Sequence, residues 1–126
     1  MFEAYGWANV GDLPHLEALE VEIAKAQRKG WTHLQLAREL NWAGAVLTVA
    51  VCRNHRSEAV IDLFRWIARN GRGCYGVLFV RDQESAHDNE FRVWRLARGS
   101  LTEHADPFLS PCIPTIEKPF EDGADP

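Results

Sequence analysis

The 126 residues suffice for one domain with a buried core and fall short of two domains of ordinary size. A formal charge of −4, with arginines scattered rather than clustered, weighs against nucleic acid as a ligand, because phosphate binding needs a cationic footprint. The longest apolar run, "AGAVLTVAVC", is too short to span a bilayer as a helix, and "MFEAYGWANV" has no basic n-region, so a cytoplasmic location is expected.

The opening residues 2–10 read as a strand. In "DLPHLEALEVEIAKAQRKG", Leu16, Leu19, Ile23 and Ala26 recur at helical spacing, with Asp12 as the expected cap, Pro14 in the first turn and Gly30 as the stop. Glutamates early and Lys25, Arg28 and Lys29 late suit the helix dipole. The period then changes to two. Leu34, Leu36 and Leu40 alternate with polar residues, "NWAG" supplies a turn, and Leu47, Val49 and Val51 alternate with Thr48, Ala50 and Cys52, so an antiparallel hairpin is expected.

"RSEAVIDLFRWIARNG" reads as a second helix, capped by Ser57, striped by Val60, Phe64 and Ile67, and closed by Asn-Gly. "CYGVLFVRD" is apolar on both faces and suggests a central strand. "QESAHDNE" is a polar loop, and a final hairpin turns at Arg98–Gly99. The order β-α-β-β-α-β-β-β gives an α+β fold: one antiparallel or mixed sheet with both helices on one face, in a single domain over 1–120. Residues 121–126, "EDGADP", read as a frayed tail.

"DPFLSPCIPTIEKPF", residues 106–120, combines four prolines with Phe108, Leu109, Ile113, Ile116 and Phe120. Proline lacks an N–H and fixes φ, so neither a helix nor a central strand suits this segment. The expectation is a proline-rich strap whose apolar residues cover core that the helices do not reach. The competing reading is a preformed apolar ridge that a partner receives.

No coherent catalytic set and no cofactor motif emerges. Cys52, Cys74 and Cys112 form an odd count without paired spacing and read as free thiols. Cys52 and His55 lie three apart, but a structural zinc site needs four ligands, so Cys52 is read as strand core and His55 as a surface residue, against a metal or nucleophile pair. Asp82, Glu84, Asp88 and Glu90 crowd one loop with His87. That loop is open to three readings: a solvated turn, an acidic surface for a basic partner, or a hard-metal site without the order of a calcium loop. Most of the five tryptophans are expected at the core or its edge. Trp42 in its turn, and Trp66 off the stripe of its helix, are the candidates for a binding surface.

Four stretches carry a resemblance. They are "YGW" at Tyr5–Trp7, Asn54–His55–Arg56, "GVLFVRD" over residues 76–82, and "DPFLSPCIP" within residues 89–117. In these the chain resembles the immunity protein 7 family of bacterial polymorphic toxin systems, with Tyr5 where the family has histidine and Phe79 where tyrosine is usual. The resemblance implies a small α+β protein that binds one cognate toxin domain and blocks it in the producing or sibling cell; the residues themselves lead to the expectation of no enzymatic activity, no nucleic acid and no membrane. The toxin-facing candidates are then Asp82, Glu84, Asp88, Glu90, Trp42 and Trp66. Two other functions stay open: a self-associating structural or regulatory domain, and an enzyme that reverses a toxin's modification.

Overall fold

Strand residues whose side chains alternate between apolar and mixed build a sheet with two unlike faces, and helices cover only the apolar one. The computed structural model describes residues 1–119; Phe120 and the tail expected over 121–126 lie outside the described residues. Along the chain run β1 (Phe2–Asn9), α1 (Leu16–Gln27), β2 (Thr32–Ala37), β3 (Val46–Arg53) and α2 (Ala59–Asn70). Then follow β4 (Tyr75–Asp82), β5 (Arg92–Ala97), β6 (Ser100–Ala105) and a single helical turn, α3 (Cys112–Thr115). The α+β order read from the sequence is the order found. The strands form one open antiparallel sheet, β2-β3-β1-β4-β5-β6, with β1 and β4 at its centre.

Register fixes the faces. Ala4 of β1 lies opposite Val51 of β3 and Val80 of β4, and Ala8 opposite Leu47, so these residues share one side with Phe2, Val49 and Leu78. That side packs on Leu19 and Ile23 of α1 and on Val60, Phe64 and Ile67 of α2. The other side presents Glu3, Tyr5, Trp7 and Asn9 of β1, and Tyr75, Val77, Phe79 and Arg81 of β4. Gly6 belongs to the helix-facing set, and a Cβ there would collide with the Val77 carbonyl oxygen, so the close approach of β1 and β4 requires glycine. Arg98 and Gly99, both at positive φ, make the tight β5–β6 turn.

Several expectations need correction. Asp12 does not cap α1, which begins at Leu16 beyond His15; its carboxylate accepts the Gly73 N–H at 2.7 Å and ties the two loops at that end of the sheet together. Pro14 accordingly precedes the helix rather than opening it. Ser57 accepts the Ala59 N–H at 3.3 Å but lies one residue before the cap position of α2, which Glu58 occupies without a side-chain bond. Leu40 lies beyond β2 and is exposed, because the chain turns through positive φ at Glu39 and Asn41. Cys52 is exposed rather than core: the alternation that buries Leu47, Val49 and Val51 turns Thr48, Ala50 and Cys52 outward. Among the tryptophans, Trp66 and Trp94 pack against the core, whereas Trp7, Trp31 and Trp42 are exposed.

The C-terminal segment departs furthest from expectation. Cys112 is fully buried, but Phe108, Leu109, Ile113 and Ile116 are exposed and none packs against the helix-facing core. A short helical turn does form there, with Ile113 in an extended conformation inside it. The Ser110–Pro111 and Ile113–Pro114 peptide bonds are cis.

Candidate functional site

On the face that the helices leave bare, aromatic side chains stand together. Trp7 meets Tyr75 edge-on at 5.9 Å, and the Phe91 ring lies 6.5 Å from Tyr5 and 6.2 Å from Phe79. Trp31, 83% exposed, borders a shallow depression of about 390 Å³ with Tyr5, His33, Ala50 and Cys52. Trp42, 88% exposed, lies at the other end of the sheet beside Asn9 and Tyr75. Partial burial, and then the hydrogen bond to Glu3 at 2.7 Å, push the Tyr5 hydroxyl up to about 12, so it remains neutral near neutral pH. Sequence reasoning missed this face. The signal was present in β1, where Tyr5 and Trp7 alternate with the small residues Ala4, Gly6 and Ala8.

Arg81 and Asp82 end β4 and, being consecutive, point to opposite faces. Asp82, on the helix side and nearly buried, takes Arg56 Nη1 at 3.3 Å and accepts the Glu84 N–H at 3.0 Å. Arg56 also bonds Glu58 and lies over the Phe2 ring at 5.8 Å. Glu84 pairs with His55 Nδ1 at 2.8 Å, and Glu90 pairs with His87 at 2.7 Å and with Arg92 at 3.0 Å. Asp88 is exposed, and its carbonyl oxygen accepts from Arg81 Nε.

The four acidic candidates thus gather at the end of the sheet where β1 begins. Trp42 stands at the end where β1 finishes, and the eight residues of β1 set the two about 24 Å apart. Trp66 lies on neither, bordering a groove between α1 and α2 with Lys25, Asp62 and Arg69. Cys52 and His55 also diverge: Cys52 Sγ lies 3.9 Å from Met1 Sδ on the bare face while His55 turns to Glu84. Among the described residues, no three of His, Cys, Asp and Glu come together to hold a metal ion.

The segment after β6 docks on the acidic end through polar bonds. The Asp106 carboxylate, 6% exposed, accepts the Phe108 N–H at 2.8 Å, the Leu109 N–H at 3.0 Å and the Ser110 hydroxyl at 2.9 Å. Ser110 Oγ in turn accepts the Phe91 N–H at 2.8 Å. Asn89 holds Ile113 at both ends of its backbone, donating to its carbonyl at 3.0 Å and accepting its N–H at 2.9 Å. Arg81, 3% exposed, donates to Glu117 at 3.0 Å, and that bond holds the Glu117 carboxyl below the usual carboxylate range. Burial raises the Cys112 thiol, though Arg81 beside it acts in the opposite sense.

The sequence model of the family described as immunity protein 7 matches residues 1–118, and no curated protein or solved structure matches the chain. The chain belongs to the immunity protein 7 family. Immunity proteins of this kind act against toxins, and the family is generally non-enzymatic, so the partner it implies is a toxin protein. Among the described residues, no helix of this immunity protein is long and apolar enough to cross a membrane.

The motifs of the immunity protein also meet in space. Arg56 of Asn54–His55–Arg56 reaches Asp82 of "GVLFVRD", and Arg81 of the same strand holds Glu117, just past "DPFLSPCIP". Tyr5 of "YGW" packs on Phe91, whose N–H is held by Ser110 of that C-terminal run.

Proposed function

We propose that this immunity protein binds one cognate toxin domain in the cytoplasm and neutralises it by covering it with the bare face of the sheet. The observation that carries the reading is the set of aromatic residues on that face: Tyr5, Trp7 and Tyr75, with Trp31 and Trp42 at its ends, are 41% to 88% exposed. Large aromatics with little charge among them are the composition of the centre of a protein interface rather than of ordinary surface. Six strands at ~4.8 Å spacing and ~3.4 Å per residue give the face roughly 700 Å², the order of one side of a specific complex.

The carboxylates of Glu84, Asp88 and Glu90 at the margin steer a basic toxin surface toward this face, while Asp82, turned inward to Arg56, holds their loop in place. The test is co-purification with the toxin domain encoded beside this chain, followed by affinity measurements at low and high salt. A tight complex whose association slows as salt rises is expected. Cell protection without any complex overturns the reading and returns attention to an enzymatic role.

A further inference from the structure

The exposed side chains of Phe108, Leu109, Ile113 and Ile116 sit on a backbone that is not free to fold them away. Asp106 fixes the start of the segment, Asn89 grips its middle and Arg81 closes its end at Glu117. Cys112, turned inward and fully buried, anchors the side opposite the exposed tips.

We propose that residues 108–116 form a preorganised apolar ridge that enters an apolar cleft of the toxin domain, and that lysine or arginine rims this cleft. The proposal rests on the toxin-binding reading above and names the part of the surface that carries most of the affinity. Its first support is the fixed backbone. A flexible loop loses conformational freedom on binding, whereas a segment already pinned by side-chain bonds has lost it on folding.

Charge supplies the second support and selects the occupant. Near the ridge, Glu117 pairs with Arg81, Glu90 with Arg92 and His87, Glu103 shares the same Arg92, and Asp88 adds another exposed carboxylate. With the buried Asp106 beneath and Lys118 included, the balance remains negative. A cationic rim therefore complements the ridge. A second copy of this chain would bring two acidic rims together, and an anionic lipid surface would be repelled by the first.

The test uses the full chain and the toxin domain encoded beside it, with affinity measured by calorimetry. Phe108→Ser, Ile113→Ser and Ile116→Ser each weaken binding about tenfold or more, and the triple variant about a hundredfold or more, with unchanged circular dichroism. Val21→Ser removes an equally exposed apolar side chain from α1 and leaves affinity unchanged. Asn89→Ala removes no apolar tip but releases the Ile113 backbone, and it also weakens binding. A folded triple variant that binds as the natural chain does overturns the ridge and leaves the toxin-binding reading standing. Natural chain that fails to bind the toxin overturns both. Full affinity in Asn89→Ala, with loss in the serine variants, overturns preorganisation.

Discussion

The sheet with its two helices and the segment from Asp106 to Glu117 use the same residue types in opposite ways. On the helix-facing side of the body, Phe2, Leu78 and Phe64 are buried in an apolar core. In the segment, Asp106 and its bonded partners turn inward with Cys112, and Phe108, Leu109, Ile113 and Ile116 turn out. Burying a large apolar side chain contributes roughly 1.5–3 kcal/mol to folding. The segment forgoes much of that and substitutes hydrogen bonds, each contributing only ~1 kcal/mol net. Apolar surface withheld from folding in this way is available to a partner. Stability therefore resides in the helix-facing core, binding in the bare face and this segment, and the two respond to different substitutions.

The largest effect expected from that contrast is in the body. Phe64→Ala empties the centre of the helix-facing core and costs about 3–5 kcal/mol, read as a lower urea midpoint. A loss under 1 kcal/mol, on the order of a surface substitution, would mean that the core does not carry the fold. Next comes Asp106→Ala, which removes an acceptor from two N–H groups and the Ser110 hydroxyl and costs about 2 kcal/mol. Its signature is local: amide exchange rises over residues 107–117 while β1 and α2 keep their protection. A uniform rise across the sheet would erase the distinction between the regions.

Phe108→Ser is expected to change stability by no more than about 0.5 kcal/mol, since its side chain is mostly in water already. A clear stability loss would show that the ridge packs after all. The smallest effect is a pH dependence. The Arg81 hydrogen bond lowers the Glu117 carboxyl, so its contribution is present above the ordinary glutamate range and is lost as pH falls through the lowered folded-state value. Amide exchange near Ile116 should quicken only in that acidic window, and Glu117→Gln should remove the dependence.

Period carried the legible part of the fold. Leu19 and Ile23, Val60 and Phe64, and the alternation of Leu47, Val49 and Val51 each announced an element and its buried side. Cap positions were less legible, because Asp12 sits near a helix start yet is used between loops by Gly73. The bare face was hidden for another reason: the strand pattern shows that Tyr5 and Trp7 share a side, but not that no helix covers it. Cys52 was misplaced by the same ambiguity. The C-terminal segment misled through composition. Its apolar residues suggested burial, while the polar residues that hold it, Asn89 and Arg81, come from elsewhere in the chain. The acidic loop was visible as a charge cluster, but its internal pairing with His55, Arg56 and Arg92 required the third dimension.

Hydrogen–deuterium exchange of the immunity protein, free and in complex with its toxin domain, tests the central claim most directly. The account predicts added protection over residues 106–117 and along the bare-face strands β1 and β4, with α1 and α2 unchanged. Protection gained over the α1–α2 groove around Trp66, with residues 106–117 indifferent to the toxin, would contradict it.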